Sequence, residues 1–157
     1  AGGYLAHVWL AIDIPDRDPA EVLLATRLND PTGKPQELAQ WQGKVLVVNF
    51  WATWCPPCLK EIPEFIRLQQ RYGAKGVHFV GIAIHDTTRV VGFMAKMQMN
   101  YPVLMAEREG LDLARAAGNR LGGLPFTVII DRQGKAARVE LGVLDEQKLA
   151  PLLDRLI

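Results

Sequence analysis

Cysteine is scarce in this chain. There are two in 157 residues, Cys55 and Cys58, separated only by Pro56-Pro57. So few thiols exclude a framework of structural disulfides, and so short a loop would constrain the unfolded chain little. The histidines, His7, His78 and His85, show no ligand spacing to one another, and there is no second C-x-x-C to complete a zinc site. Charge of one sign is lacking too. Eighteen Lys and Arg stand against 17 Asp and Glu, a net +1, with no basic run to make a nucleic-acid face. No apolar stretch is long enough to span a bilayer, and there is no internal repeat or low-complexity segment. What remains, 49% apolar and 22% charged, is the composition of one globular domain with a full core.

The two thiols stand at a junction. Val45-Leu46-Val47-Val48-Asn49-Phe50-Trp51 reads as a strand covered on both faces. From Pro56 to about Tyr72, Leu59, Ile62, Phe65 and Ile66 fall at helical spacing, with Pro63 inside and Gly73 and Gly76 at the end. Cys55 therefore occupies the cap position of a helix and Pro56 its first turn, where a missing N–H costs nothing. A helix N-terminus leaves N–H groups unpaired and carries roughly half a positive charge. A cysteine there is held as thiolate below its free pKa of about 8.5, and the thiolate is the attacking species in disulfide exchange. Cys55 is expected to be the nucleophile. Cys58, one turn in and less exposed, is expected to resolve the mixed disulfide.

The rest of the chain reads as alternating elements. A strand is expected over Val22 to Leu28, closed by Asn29-Asp30-Pro31-Thr32-Gly33, and one helical turn over Gln36 to Gln40. Val77 to Ile84 is a second buried strand, which makes a parallel pair with a right-handed crossover. Helices are expected over Arg89 to Met99 and Leu111 to Ala117, with a short strand at Tyr101 to Met105 between them. Phe126 to Ile130 and Ala137 to Val143 flank the hairpin turn Asp131-Arg132-Gln133-Gly134. Asp145 caps a closing helix that runs to Ile157. His85 and Asp86 are read as surface loop. The fold class is α/β, a mixed central sheet with helices on both faces.

Residues 1–20 are read as an N-terminal extension and 21–157 as the domain. Tyr4 to Ile12 is apolar, and Pro15-Asp16-Arg17-Asp18-Pro19 reads as a linker. The chain opens without Met or a charged leader, which suggests processing or trimming. The apolar stretch is compatible with an arm packed on the domain, an oligomer contact, or the stub of an anchor.

Phe50-Trp51-Ala52-Thr53-Trp54-Cys55-Pro56-Pro57-Cys58 resembles the active-site segment of thioredoxin-like proteins. The longer string from Val47, followed by Lys60-Glu61-Ile62-Pro63, resembles the TlpA/ResA branch, which includes the CcmG-type reductases of cytochrome c maturation. Leu124-Pro125-Phe126-Thr127 is a second anchor. The resemblance implies a thioredoxin fold and a thiol–disulfide oxidoreductase. It also implies an extracytoplasmic setting such as the periplasm, often with a membrane tether, here upstream of residue 1. The implied partners are protein disulfides and an upstream membrane electron donor, and no cofactor is implied beyond the redox-active Cys55–Cys58 pair. Pro125 matches a cis-proline opposite the dithiol, and Leu124 would offer its backbone to a partner. Trp54 and Pro56 are expected to meet the substrate, and Trp51 to shield the site or simply fill the core.

Glu61 matches an acidic residue that this branch places after the motif. A carboxylate there can accept a proton from Cys58; the alternative is a Glu near the helix N-terminus that merely complements the dipole. Thioredoxin has a buried aspartate where this chain has Asn49, which cannot take a proton, so Glu61 becomes the candidate base. Pro56-Pro57 removes N–H donors near Cys55, which favours a reducing protein.

Two other classes remain. A thiol peroxidase needs Pro-x-x-x-Thr-x-x-Cys, and the chain has Val48 and Ala52 at those places. A copper(I) carrier would use the same two thiols, but no methionine or histidine cluster accompanies them.

Overall fold

The structure is a computed structural model and describes residues 17–84 and 86–157. The elements run α1 (Pro19–Leu24), β1 (Arg27–Asn29), β2 (Pro35–Glu37), β3 (Val45–Trp51), α2 (Pro56–Tyr72), β4 (Val77–Ala83), α3 (Thr87–Met97), β5 (Val103–Met105), α4 (Glu109–Ala116), β6 (Phe126–Ile130), β7 (Ala136–Leu141) and α5 (Glu146–Leu156). They form one mixed seven-stranded sheet, ordered β2-β1-β5-β4-β3-β6-β7. β3, β4 and β5 are parallel neighbours; the remaining pairs are antiparallel.

β3 lies in the interior of the sheet, and all seven of its residues are buried. That explains why, Asn49 apart, it is a continuous apolar run rather than an alternating one. Its even-numbered side chains, Leu46, Val48 and Phe50, join Val80, Ile82, Phe126 and Val128 under α1 and α4. Its odd-numbered ones face the other layer. Val45 and Val47 pack with Phe65 and Leu68 of α2 and Leu149 and Leu153 of α5. Trp51 packs with Cys55, Cys58 and Ile62, and with Val90 of α3. Helices therefore cover both faces, and the site-bearing end of α2 sits over the middle of the sheet.

β3 and α2 have the bounds expected of them. The segment before them does not. Residues 19–24 are helical where a strand was expected over Val22 to Leu28, and only Arg27–Asn29 pairs as strand. The local cap prevails: Asp18 Oδ1 accepts from the Ala20 N–H at 2.8 Å and Pro19 opens the helix. Ala20 and Leu23, three apart, then share the buried face. The helical turn expected at Gln36 to Gln40 is displaced, with Pro35–Glu37 pairing to β1 and a 3-10 turn following at Leu38–Trp41. Asp86 caps α3 by accepting from Thr88 N–H. His85 and the whole apolar stretch from Tyr4 to Ile12 lie outside the described residues. Among the described residues no helix is long and apolar enough to cross a membrane.

Asp18 also accepts from the Ala136 N–H at 3.2 Å, so one carboxylate caps α1 and ties it to the start of β7. Asp18→Ala is expected to lower the unfolding free energy by about 1–2 kcal/mol, the usual cost of a lost cap. Urea denaturation at neutral pH checks this, with unchanged activity marking the effect as structural.

Candidate active site

At the end of β3 the chain turns through Ala52 to Trp54 and enters α2 with Cys55 at the cap. Cys55 has extended backbone (φ −107°, ψ 98°), and its Sγ accepts from the Cys58 N–H at 3.3 Å. Sulfur thus occupies the place a serine or aspartate oxygen usually takes at a helix start. Cys55 and Cys58 are joined as a disulfide, with Cα atoms 5.3 Å apart. Cys55 retains 5% exposure and Cys58 none, so a partner sulfur can reach Cys55 first. Pro56 and Pro57 are exposed on the first turn, and Trp54 stands out at 56% exposure beside the disulfide. Trp51 is fully buried against Phe93 and belongs to the core under the site.

Across the motif, the Leu124–Pro125 peptide bond is cis, in keeping with the resemblance. Leu124 packs against the cluster that holds both cysteines. Its loop is fixed by a residue that the sequence did not single out. Asn119 is buried, donating to Gly123 C=O at 2.7 Å and accepting from Gly122 N–H at 3.1 Å. Gly142 N–H donates to Pro125 C=O at 2.8 Å and anchors the other side. A depression of about 500 Å³ adjoins the site, lined by Trp54, Ile84 and Leu111 with Asp86, Glu107 and Arg108 at its polar rim.

Glu61 is fully buried one turn beyond Cys58 on the same face of α2. Its Oε1 accepts from Asn49 Nδ2 at 2.8 Å and its Oε2 from the Leu144 N–H at 2.6 Å. Asn49 Nδ2 also donates to Thr127 Oγ1 at 3.1 Å. One carboxylate thus joins α2 to β3, through Asn49 to β6, and to the loop before α5. This is more than a dipole-complementing acid on a first turn. Burial pushes Glu61 up to about 7, against the pull of the Leu144 and Asn49 donors, and Glu64 adds to the rise. Thr127 was legible only as part of the Leu124-Pro125-Phe126-Thr127 string. Leu144 contributes a backbone N–H, which no residue-type pattern reveals.

The Redoxin family profile matches residues 17–154. This chain belongs to that family. A Bacillus subtilis protein named thiol-disulfide oxidoreductase ResA is 32% identical over 124 residues, covering 78% of this chain and 66% of its own length. A ResA of Halalkalibacterium halodurans is 30% identical over 128 residues, covering 81% and 70%. This chain therefore spans about two thirds of the length of these relatives. Among solved structures, a thiol:disulfide interchange protein of the thioredoxin family from Chlorobium tepidum superposes with a TM-score of 0.75 at 31% identity. That match covers 83% of this chain and 92% of the other. The expected recognition and fold class thus hold: this is a thioredoxin-like fold of the ResA kind, from a family of thiol–disulfide oxidoreductases.

A buried carboxyl raised from 4.5 to about 7 favours the folded state in its neutral form. Stability is expected to be highest at pH below about 4.5, as far as this group is concerned, and to fall as pH rises through about 7, by up to about 3 kcal/mol. Glu61→Gln is expected to remove that component. Denaturant titrations of both proteins, in the disulfide form, between pH 4.5 and 8 check it; parallel curves would show that Glu61 does not titrate in this range.

Proposed function

We infer that this chain reduces disulfides of protein substrates through the Cys55–Cys58 pair, on the outer side of the cytoplasmic membrane. The observation that carries the reading is the buried carboxyl of Glu61, one helical turn behind the resolving thiol and poised near neutral pH.

The reduced protein begins with Cys55 as thiolate, stabilised by the N–H groups at the start of α2. Cys55 Sγ attacks one sulfur of the substrate disulfide, forming a mixed disulfide and releasing the other sulfur as thiolate. Cys58 then loses its proton to Glu61, and its Sγ attacks Cys55 Sγ. The bond to the substrate breaks, its second sulfur leaves and takes up a proton, and Cys55–Cys58 is the disulfide formed. Two electrons pass to the substrate. A base near neutral suits this step, because it accepts the proton from Cys58 and returns it when the pair is reduced again.

The cis Leu124–Pro125 bond and Leu124's contact with the cysteine cluster support a role for this loop in receiving an extended substrate backbone. Exposed Trp54 and Pro56 flank the same approach. Pro56-Pro57 withholds two N–H donors from the Cys55 thiolate, which destabilises the dithiol form and favours a reductant. Apocytochrome c or a copper-site assembly protein is the substrate class that suits the resembled branch, with a membrane electron donor upstream. The expected boundary between an extension of 1–20 and a domain of 21–157 moves toward the N-terminus, because the Asp18 cap and buried Ala20 belong to the domain, and a membrane tether upstream of residue 1 suits that donor.

Insulin reduction with dithiothreitol as donor tests the activity. The wild type is expected to accelerate it, Cys55→Ser to abolish the acceleration, and Cys58→Ser to accumulate a mixed disulfide. Equal rates with wild type and Cys55→Ser would overturn the reading. The potential of the pair is expected nearer the reducing end of the roughly −270 to −120 mV range of this fold, and a value near the oxidising end would reverse the assigned direction.

A further inference from the structure

The chain reaches Leu124 through Gly122-Gly123, and glycine is the residue type with the least conformational restraint. Gly122 has a left-handed backbone, φ +72°, and a Cβ there would meet nothing within 4 Å. Side-chain packing therefore does not hold Gly122 in place. A free diglycine would leave the plane of the next peptide bond able to rotate.

Asn119 removes that freedom. Its side chain is 2% exposed. Its Oδ1 accepts from the Gly122 N–H at 3.1 Å, and its Nδ2 donates to the Gly123 C=O at 2.7 Å. Its own N–H donates to the Ala114 C=O of α4 at 2.9 Å, so the bracket is anchored to a helix. A carboxamide is suited to this because one end donates and the other accepts. The reversed amide would set oxygen against oxygen and N–H against N–H.

The bond to Gly123 bears on the site. The Gly123 C=O and the Leu124 N–H belong to one planar trans peptide and point in opposite directions. Drawing the carbonyl inward to a buried amide turns the Leu124 N–H away from Asn119. That N–H donates to no acceptor among the described residues. On the other side of Leu124, the Pro125 C=O accepts from the Gly142 N–H at 2.8 Å. Leu124 is held from both ends while its own N–H stays unengaged.

We propose that Asn119 is a positioning residue for substrate recognition: by fixing the Gly123–Leu124 peptide plane, it aims the Leu124 N–H at a backbone carbonyl of the substrate segment whose cysteine bonds to Cys55. What is recognised is main chain. The favoured partner is therefore a cysteine within an extended polypeptide, over a small thiol that has no carbonyl to offer. The inference rests on the proposed role of Leu124 in receiving substrate backbone, but not on the direction of electron flow.

The test uses Cys58→Ser protein carrying 2-mercaptoethanol as a mixed disulfide on Cys55. An end-blocked pentapeptide of alanines around one central cysteine displaces the 2-mercaptoethanol as free thiol and takes its place on Cys55, so the number of disulfides is unchanged. Mass spectrometry gives the exchange constant. It is expected to favour the peptide, and to fall about fivefold in Asn119→Leu, which fills similar space but makes neither hydrogen bond. Asn119→Asp can accept from the Gly122 N–H but, as a carboxylate, cannot donate to Gly123; at about pH 8 it is expected to fall by a similar factor. A third measurement needs no change at residue 119. Hydrogen exchange at the Leu124 N–H is expected to be slower in the peptide adduct than in the 2-mercaptoethanol adduct. An exchange constant that residue 119 leaves unchanged, or a Leu124 N–H no better protected in the peptide adduct, overturns the proposal. Insulin reduction by the wild type alongside either result leaves the proposed function standing. Failure of insulin reduction alongside an exchange constant that depends on Asn119 removes that function and supports this inference.

Discussion

The carboxyl group of Glu61 holds the working end of this molecule together. Helix α2 could pack its apolar face on the sheet without it. What Glu61 adds is position: hydrogen bonds to Asn49 on β3 and to Leu144 before α5, with Asn49 passing the constraint on to Thr127 on β6. Cys58 lies one turn earlier on the same face, so the register that fixes Glu61 also fixes the Cys58 sulfur. A polar link at full burial tolerates few alternative arrangements, because every misplacement strands a donor or an acceptor.

That link relies on the sheet around it. β3 has a parallel neighbour on one side and an antiparallel one on the other. The first places Gly81 beside Asn49. The second places Thr127 opposite Asn49, two residues after the cis-proline. The site is thus assembled from both halves of the chain across one strand. This is how a loop at Leu124–Pro125 comes to face a disulfide about 70 residues earlier without any local sequence connection.

Much of this was legible in the sequence, for identifiable reasons. β3 and α2 are long and strongly patterned, and they meet at a cap-and-proline junction, so type and bounds were both readable. The first helix was not, because Val22-Leu23-Leu24 imitates a strand when the Asp18-Pro19 start signal is overlooked. Glu61 could be nominated by its place after the motif, but its partners could not. Leu144 offers only backbone, and Asn49 looked like the loss of a base rather than the bridge it is. Asn119 acts through loop geometry that appears only once Gly122 and Gly123 are folded around it. What escaped sequence reasoning is polar, buried and non-local.

A carboxyl in this place is a poor choice for stability alone. A buried acid loses more by desolvation than its two donors return, which is why its proton is held up to about 7. Glutamine has nearly the same shape and could accept from one of the donors without ever becoming charged. The fold therefore gives a reason for a polar residue at position 61, but not for an ionisable one. The proposed sulfur exchange would give that reason, since a thiol becomes a nucleophile only by surrendering its proton, and a base already near neutral takes it at the least cost in driving force. On the proposed function, the destabilising burial that sets the affinity of Glu61 for a proton is also what the chemistry would require.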